Sequence, residues 1–301
     1  MICPPEQSRH FVRAKCEYFT DVQLWPLQSK LDPVGWLANF PDHEDDYATH
    51  LLSAFLYFSE ALMAQMLEAT FQSLSLLPLF PRRPFLLAQG HWRAFLDSLL
   101  VTHITGEQPN STDSGLVFLR MVRQQLGIKQ AQIGSPTDAA NLLLASGPRP
   151  VVFVDDFLGS GRQCVDTWKR QMAVSGGRTV SFDKLATLHG NSFYYCPLVG
   201  TEQGIQRIQN ECTGLRLICG HVLGDRYNAF SANSAIWPKH LKAGAETFLC
   251  DASARAGVPQ QQWRGYADLG LTVAFAHSVP DATLPIFYWE LNGWTPLIRR
   301  T

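Results

Sequence analysis

VVFVDDFLGSG occupies residues 151–161 of this 301-residue chain. Its four leading apolar residues predict a buried strand, and two adjacent acids follow where that strand should end. A loop of small residues comes next, and a helical pattern starts near Gln163. This order predicts two carboxylates and several free backbone N–H groups around one point. A sugar with a 5′-phosphate needs both, since carboxylates bind its hydroxyls and N–H groups bind its phosphate.

In open parallel sheets, ligands bind at the carboxyl ends of the strands. Asp155 and Asp156 are therefore the predicted catalytic pair, orienting a ribose and holding Mg²⁺ through its water ligands. Because neighbouring strand residues point to opposite faces, both acids reach one ligand only if the strand has already turned. The predicted ribose-phosphate-binding residues follow them along the loop and into the helix: Leu158, Gly159, Ser160, Gly161, Arg162 and Gln163.

Other proteins share part of this pattern. A strand that ends in two acids also occurs in the second motif of nucleotide hydrolases, in phosphoacceptor domains and at ordinary helix N-caps. The hydrolases need G-x-x-x-x-G-K-[ST] elsewhere, and the sequence does not contain it. Ser160 does not lie in a G-x-S-x-G nucleophile elbow, and the histidines and cysteines lack zinc-site spacing. The sugar-phosphate interpretation is favoured, with these alternatives open.

The composition is typical of a globular protein with one or two domains, because apolar residues make up 46% of the chain and charged residues 17%. A formal net charge of −1 gives no general attraction for nucleic acid. Seven cysteines without a C-x-x-C pair favour a reducing compartment. The first residues lack signal-peptide features, and polar residues interrupt the apolar run 51–67. We therefore expect a cytoplasmic protein that does not enter the membrane.

The hydrophobic pattern changes near residue 95. Residues 1–95 are predicted to form a helical region packed on the rest of the chain, with one long helix over 42–71. Residues 96–301 are predicted to alternate strands and helices, which implies right-handed crossovers and a five-stranded, mainly parallel sheet in an α/β domain. The expected strands are 99–104, 151–154, 193–199, 215–222 and 271–277. The expected helices of this region are 116–126, 137–144, 203–212 and 245–256.

Two further groups of residues are candidates for the same site. The loop after the first predicted strand could bind a second phosphate through Asp113, Ser114, Gly115 and Arg120, although the first two are also good helix N-caps. His277, after the last predicted strand, could act as a general acid or base or serve a structural role. His189, His221 and Asp225 also fall near predicted strand ends and are weaker candidates. The aromatic residues Phe287, Tyr288, Trp289 and Trp294 are more typical of core or interface packing than of base stacking.

Several separated motifs, in this order, resemble a known family. They are WLANF at 36–40, GEQPN at 106–110, DSG at 113–115 with Arg120, VDDFLGSG at 154–161, and His277, Pro280, TLP at 283–285 and WTPL at 294–297. The loop at 151–163 resembles that of type I phosphoribosyltransferases, which bind phosphoribosyl pyrophosphate (PRPP). The whole set is closer to the divergent phosphoribosyltransferase-like family of bacterial conflict systems, PRTase-CE.

The resemblance implies a type I phosphoribosyltransferase-like parallel sheet and a role in anti-phage defence, including retrons. It implies an effector or accessory protein that accompanies a reverse transcriptase, its RNA-linked DNA and a winged-helix protein; contact with nucleic acid is either indirect or left open. The ligand would be PRPP or a nucleotide. Two functions follow: an enzyme that displaces a group at C1′ of a ribose phosphate, or a non-catalytic nucleotide- or PRPP-sensing or scaffold subunit.

The loop departs from the transferase pattern in its hydroxyl groups. Transferases usually carry Thr or Ser on both sides of the glycine, whereas Gly159 and Gln163 fill the outer positions here and only Ser160 keeps a hydroxyl. Each lost hydrogen bond to a charged group costs roughly 1.5–3 kcal/mol. The ligand class therefore stays open between PRPP, another ribose phosphate and a nucleotide.

Overall fold

The computed structural model describes residues 8–77, 84–105, 114–188 and 190–300. Within these ranges, strands β1 to β9 cover Leu56–Phe58, Leu100–His103, Pro150–Leu158, Met172–Val174, Arg178–Val180, Ser192–Thr201, Leu215–Leu217, His221–Leu223 and Val273–Phe275. Helices α1 to α11 cover Arg9–Asp21, Pro33–Leu37, Asp45–Ser53, Glu60–Gln72, Phe85–Ser98, Ser114–Leu126, Pro136–Ser146, Arg162–Lys169, Phe182–Leu185, Glu202–Glu211 and Ala245–Arg255.

The chain divides into two compact units. Unit 1 comprises Met1–Glu60 and Leu223–Thr301, and unit 2 comprises Ala61–Val222. The predicted helical region is divided between them, because α1 to α3 belong to unit 1 and α5 to unit 2. The two units meet in the chain at Glu60/Ala61 and at Val222/Leu223, and neither point lies near residue 95. The predicted domain boundary near residue 95 stays a prediction.

Unit 2 is built around a five-stranded sheet with the order β2-β3-β6-β7, in which β8 also pairs with β6. The three pairs along this path are all parallel. The long strands β3 and β6 lie at the centre, in register from Pro150↔Ser192 to Leu158↔Gly200. The predicted α/β class, with helices around a mainly parallel sheet, is confirmed.

Local signals in the sequence placed several helices of unit 2. At the start of α7, the Ser135 hydroxyl accepts from the Asp138 N–H at 3.2 Å, and the Asp138 carboxylate accepts from the Ser135 N–H at 3.0 Å. This reciprocal pair satisfies two backbone donors that the helix itself cannot. Helix α6 ends before Gly127, whose φ of +65° stops the helix at little cost. Both helices were predicted.

A cluster of aromatic rings packs helices onto one face of the central strands. Phe153 of β3 meets Phe182 of α9 edge-on, with centroids 4.9 Å apart. Trp168 of α8 meets Phe193 of β6 edge-on at 5.2 Å. These four side chains are almost fully buried, so their packing holds α8 in a fixed position behind the end of β3.

The helix predicted over 42–71 is wrong, because β1 interrupts it between α3 and α4. Tyr57 and Phe58 favour a pleated, half-buried strand. Strand β1 pairs in parallel with β9, and Phe58 stacks on Phe275 with centroids 4.9 Å apart. A partner more than 200 residues away leaves no signal in the local helical spacing.

The same pairing corrects the composition of the predicted sheet. The last predicted strand, 271–277, forms β9 in a separate two-stranded sheet of unit 1 instead of joining the central sheet. The predicted strand 215–222 is in fact the two strands β7 and β8. The central sheet still has five strands, because β8 takes the place assigned to 271–277.

Unit 1 brings the first and last sequence motifs together. The Trp36 ring stacks on Phe287, with centroids 5.1 Å apart. The indole N–H groups of Trp36 and Trp294 both donate to the carbonyl of Ile286, at 2.8 and 2.9 Å. The expectation that Phe287 and Trp294 serve in packing is confirmed, since both are buried.

The side chain of Asn39 joins the same motifs through hydrogen bonds to backbone groups. Its amide NH₂ donates to the carbonyl oxygens of Trp36 and Thr295, both at 2.8 Å. Its side-chain oxygen accepts from the Thr295 N–H at 2.9 Å. One side chain therefore replaces a strand partner for Thr295.

No helix in the described ranges combines the length and the apolar character that crossing a membrane would require.

We predict that Asn39→Ala lowers the free energy of unfolding by about 1–3 kcal/mol, because it leaves the N–H and C=O of Thr295 without their partner. Urea denaturation followed by tryptophan fluorescence measures the change. Gln261→Ala, at an exposed position, is the control and should shift the midpoint little. Equal effects of the two substitutions would contradict the role of Asn39 in satisfying the backbone groups of Thr295.

Candidate functional site

Three parallel strands end at one edge of the central sheet, and a helix follows each of them. Strand β2 precedes α6, β3 precedes α8, and β6 leads directly into α10. Strand β3 runs on to Leu158, so Asp155 and Asp156 lie inside the strand. The sequence pattern had predicted them after the end of the strand. The carboxyl ends of these strands are the place where such sheets bind ligands.

Asp155 is buried, with 6% of its surface exposed. Its Oδ2 accepts a hydrogen bond of 2.8 Å from the hydroxyl of Tyr195 on β6, and its Oδ1 accepts one of 3.1 Å from the N–H of Asp156. Burial, followed by the charge of Asp156, raises the pKa of Asp155 well above its usual value, against the opposing effect of the Tyr195 hydrogen bond. Asp155 therefore holds its proton to a higher pH than an exposed carboxyl would.

Asp156 is equally buried, and its Oδ1 accepts from the N–H of Phe157 at 2.8 Å. Its negative charge is one of the causes of the raised pKa of Asp155, so the two carboxyl groups interact electrostatically. Two acids that interact in this way ionise in sequence, and the first proton to leave favours retention of the second. The charge of Asp156 thus favours the protonated form of Asp155.

The loop after β3 is held by its carbonyl oxygens. The Gly159 carbonyl accepts from the hydroxyl of Thr201 at 2.6 Å, and the Ser160 carbonyl accepts from Nη1 of Arg207 at 2.9 Å. Thr201 caps α10, and Arg207 lies on that helix. Because the N–H of a trans peptide points opposite to its C=O, the amides of Ser160 and Gly161 point away from these partners.

Glycines allow this loop to lie directly against α10. A Cβ atom at Gly204, in the first turn of α10, would collide with the Gly159 carbonyl oxygen. A Cβ atom at Gly161 would lie 3.0 Å from the carbonyl oxygen of Gly204. Gly161 also has φ of +79°, which favours glycine, and it is the N-cap of α8.

Several amides at the start of α8 are available to a ligand. In the part of the chain that the structure describes, the N–H groups of Ser160, Gly161, Gln163 and Cys164 have no hydrogen-bond partner. The N–H of Arg162 is only 3.5 Å from the Ser160 hydroxyl, which is a long contact. Unpaired amides and the positive end of the helix dipole favour an anion. We call the amides of residues 160–164 the amide cup.

The side chains of the predicted loop residues have different environments. Leu158 is buried in the core, so only its backbone could face a ligand. Ser160 is 8% exposed. Arg162 and Gln163 are exposed, and the Arg162 guanidinium lies 3.7 Å from the Asp166 carboxylate. Their assignment as ribose-phosphate-binding residues stays a prediction.

Part of the predicted second phosphate loop, including Asp113, lies outside the described residues. Helix α6 begins at Ser114, and Arg120 is exposed on it. Gly115 packs so closely on β2 that a Cβ atom there would collide with the His103 imidazole. The start of α6 therefore lies against the end of β2.

The histidine and acid candidates outside the loop fall elsewhere. His277 belongs to unit 1, in the turn after β9, with its ring 6.1 Å from that of Phe275. His189 lies outside the described residues, and His221 is exposed on β8. Asp225 accepts hydrogen bonds from Ser231 and Asn233, which lower its pKa and indicate a structural turn.

Thr201, Gly204 and Arg207 were not predicted from the sequence, although they hold the loop in place. A signal for two of them existed. Thr201 and Glu202 follow a buried strand, and this order is typical of a helix N-cap followed by an acidic first turn. Gly204 comes two residues later, and a glycine in a first helical turn can indicate that another backbone segment packs closely there.

The described residues contain no group of three or more His, Cys, Asp or Glu side chains that could hold a metal ion. Mg²⁺ does not need such a group, since it keeps several waters and accepts one or two carboxylates together with ligand phosphates. The carboxylate oxygens of Asp155 and Asp156 are ligands of the kind that Mg²⁺ accepts in this way. The binding of Mg²⁺ stays a prediction.

The sequence profile of the family described as PRTase-CE matches residues 33–300. The chain belongs to the PRTase-CE family. The match extends from the Trp36 motif to the C-terminal Trp294 motif and includes the whole of the β3 loop. No curated protein matches the chain. The family and the parallel sheet together make this a phosphoribosyltransferase-like protein.

We predict that Asp155→Asn stabilises this PRTase-CE protein at neutral pH. The carboxyl has a pKa near 3.9 when unfolded and a raised pKa when folded. The wild-type chain therefore loses stability as pH rises from about 4 towards the folded pKa, by about 1.4 kcal/mol per pH unit. Asparagine keeps an acceptor for Tyr195 and cannot ionise, so the advantage of the variant should grow over the same range.

Urea denaturation between pH 4 and pH 8 measures this difference. Tyr195→Phe is the matched variant, because it removes the hydrogen bond that favours the ionised form of Asp155. It should extend the loss of stability to higher pH. A difference between Asp155→Asn and the wild type that does not change with pH would contradict the raised pKa.

Proposed function

We propose that this PRTase-CE protein binds a ribose 5-phosphate group, carried by PRPP or by a nucleotide, and transfers the ribosyl group at C1′. The observation that carries the proposal is the amide cup at the start of α8, beside two buried and interacting carboxyl groups. The 5′-phosphate would bind the cup, and the ribose hydroxyls would bind the Asp155–Asp156 pair, because the two carboxyl groups interact with each other although both residues lie within β3.

The phosphate half of the proposal rests on the direction of the backbone. Four unpaired amides and a helix N-terminus provide hydrogen bonds and a positive field without requiring a basic side chain. The exposed guanidinium of Arg162, the first residue of α8, adds charge at the rim. A phosphate dianion would gain charge-assisted hydrogen bonds, which are stronger than neutral ones.

The sugar half rests on the two protonation states of the acid pair. Asp156, as a carboxylate, would accept hydrogen bonds from ribose hydroxyls, and protonated Asp155 could donate one. We include Mg²⁺ in the proposal, held through its waters by Asp155 and Asp156. Bound there, the ion would neutralise leaving-group phosphates. A cation beside the pair would also lower the pKa of Asp155 and so change which proton the pair retains.

The bond changes at C1′ follow from the ligand. With PRPP, the bond from C1′ to the pyrophosphate oxygen breaks and the pyrophosphate keeps its electron pair. A lone pair of the acceptor then forms the new bond to C1′, and the acceptor loses its proton to solvent or a base. The sugar ring is cationic between these events, so the carboxylate of Asp156 would stabilise it electrostatically. The pyrophosphate would lie near the end of β2 and the start of α6, where the second phosphate loop was predicted.

We further propose that this activity serves anti-phage defence, as an effector of a cytoplasmic complex of the retron type. The resemblance of the motifs to a family of bacterial conflict systems supports this role. The partners would be a reverse transcriptase and a winged-helix protein, with any contact to the RNA-linked DNA made through them. Consumption of PRPP or a nucleotide pool would be toxic, so the partners would restrain the enzyme until infection.

A non-catalytic sensor is the second candidate, and one observation favours it. Ser160 carries the only hydroxyl of the loop 158–163, and its Oγ faces the N–H of Arg162 at 3.5 Å. A loop with so few side-chain donors would bind phosphate mainly through its backbone. Such binding is sufficient to sense a ligand without accelerating its reaction.

We predict that the wild-type protein binds at least one of ribose 5-phosphate, PRPP and ATP in the presence of Mg²⁺, measured by calorimetry. Asp155→Asn with Asp156→Asn should abolish turnover, followed as pyrophosphate release, while the protein stays folded. Asp183→Asn, at an exposed acid on α9, is the control and should leave turnover unchanged.

Each outcome decides between the candidates. Binding with turnover that the double variant loses supports the enzyme. Binding without turnover supports the sensor, and no binding across the panel overturns both. In cells, a double variant that protects against phage as well as the wild type would exclude an enzymatic role in defence.

Gly161→Ala tests the cup itself. We predict a loss of phosphate-ligand affinity of at least about tenfold, or 1.4 kcal/mol, because the new Cβ lies 3.0 Å from the Gly204 carbonyl and the amides must shift. Gly177→Ala is matched, since it has a similar φ of +70° and an added Cβ would meet nothing within 4 Å. Calorimetry should show unchanged affinity for that control, and equal losses in both variants would contradict the role of Gly161.

A further inference from the structure

Two cysteine side chains meet where α8 packs beside α10. Cys164 lies in the first turn of α8, and Cys212 is the C-cap of α10. They are 1% and 2% exposed and belong to the same hydrophobic core cluster. Burial, followed by a side-chain hydrogen bond with Cys212, raises the pKa of Cys164 well above its usual value. The two thiols are therefore neighbours, and both are free.

Contacts on both sides of the thiol pair hold the two helices together. Near the start of α8, a Cβ atom at Gly161 would lie 3.0 Å from the carbonyl oxygen of Gly204. At the end of α8, Nζ of Lys169 lies 3.1 Å from the carboxylate of Glu211, the last residue of α10. A disulfide forms only between side chains that the backbone already holds close. These contacts supply that condition for the pair between them.

We propose that Cys164 and Cys212 form a dithiol–disulfide site, which a small disulfide oxidises and whose oxidation weakens anion binding at the amide cup. One cysteine sulfur attacks the small disulfide and releases one small thiol. The second cysteine sulfur then displaces the other small thiol, so that one S–S bond replaces another and both protons leave with the released thiols. The disulfide does not depend on the proposed function, whereas its effect on the cup rests on that function.

The effect on the cup follows from the position of Cys164. Its backbone N–H is the last amide of the cup, which comprises residues 160–164. An S–S bond of about 2.05 Å is shorter than any contact between two separate thiols. Oxidation therefore draws Cys164 towards α10 and moves its amide away from the ligand. The same bond closes a loop that contains β4, β5, α9 and β6, which restricts the unfolded chain and stabilises the folded one.

Burial determines how the site has to be oxidised in the test. The thiolate is the form that attacks a disulfide, and the raised pKa of Cys164 keeps its thiol protonated at neutral pH. Exchange in the folded protein is therefore slow. Refolding from urea exposes every thiol to the reagent, and the folded structure then selects the pair that it holds together.

The reduced full chain is refolded from urea in a mixture of reduced and oxidised glutathione, and its peptides are mapped by mass spectrometry without reduction. The Cys164–Cys212 cross-link should exceed any other by at least about tenfold. Cys212→Ala should abolish it, whereas Cys16→Ala, at an equally buried cysteine of unit 1, should leave it unchanged. A wild-type chain that forms no cross-link, or mainly one between Cys196 and Cys219, would overturn the disulfide whether or not the variants fold.

The oxidised and reduced wild-type proteins are then compared. The oxidised form should unfold at a higher urea concentration, and its Kd for ribose 5-phosphate with Mg²⁺, measured by calorimetry, should be at least about threefold higher. Reduction with dithiothreitol should reverse both changes. Equal affinities of the two forms would overturn the effect on the cup and uphold the proposed function. A reduced protein that does not bind ribose 5-phosphate, PRPP or ATP would overturn the proposed function together with that effect, and the peptide map would still decide the disulfide.

Discussion

The direction of two peptide groups determines what the site can bind. Thr201 and Arg207 hold the carbonyl oxygens of Gly159 and Ser160 against α10, and planarity of the trans peptide turns the following amides the other way. This arrangement requires that the loop touch the helix, which it does because Gly204 and Gly161 present no side chains between the two backbones. An anion site made in this way depends on packing behind the loop more than on residues in front of it. Helix α10, which would not touch the ligand, would therefore contribute to the proposed anion site by positioning the loop.

The acid pair shows the energetic cost of such a site. A buried carboxyl with a raised pKa destabilises the folded chain at neutral pH, and the Tyr195 hydrogen bond offsets only part of that cost. Phe153, two residues before the pair, packs edge-on against Trp168, and both rings are almost fully buried, which stabilises this part of the sheet. A structural role alone would be served better by an apolar residue at 155. Two buried acids in an apolar strand therefore support the proposed ligand site, because perturbed pKa values concentrate at functional sites.

Features with a local physical cause were predictable from the sequence. The capping box at Ser135, the glycine that ends α6 and the apolar run of β3 all act within a few residues, and the predicted bounds of both helices and the start of β3 were close to those observed, whereas β3 runs four residues beyond its predicted end. Features that depend on distant partners were not. Strand β1 exists because β9 pairs with it, and the local spacing around Tyr57 fits a helix equally well. In the candidate site, the acids and the glycine-rich loop were visible in the sequence, whereas the contacts that Thr201 and Arg207 make with that loop depend on where the chain returns more than 40 residues later.

The motifs that identify the PRTase-CE family have different physical roles. Trp36, Asn39 and Thr295 hydrogen-bond and pack with one another or with residues nearby in unit 1, so they stabilise the fold of that unit. Asp155, Asp156 and the loop that follows them lie in unit 2, where burial of charge and unpaired amides have no structural advantage. The family match, which spans residues 33–300, therefore covers motifs that stabilise the fold and motifs of the proposed site. The residues that would discriminate between an active transferase and a sensor are those of the loop and of α10 behind it, because they set the direction of the backbone groups that a phosphorylated ribose would meet.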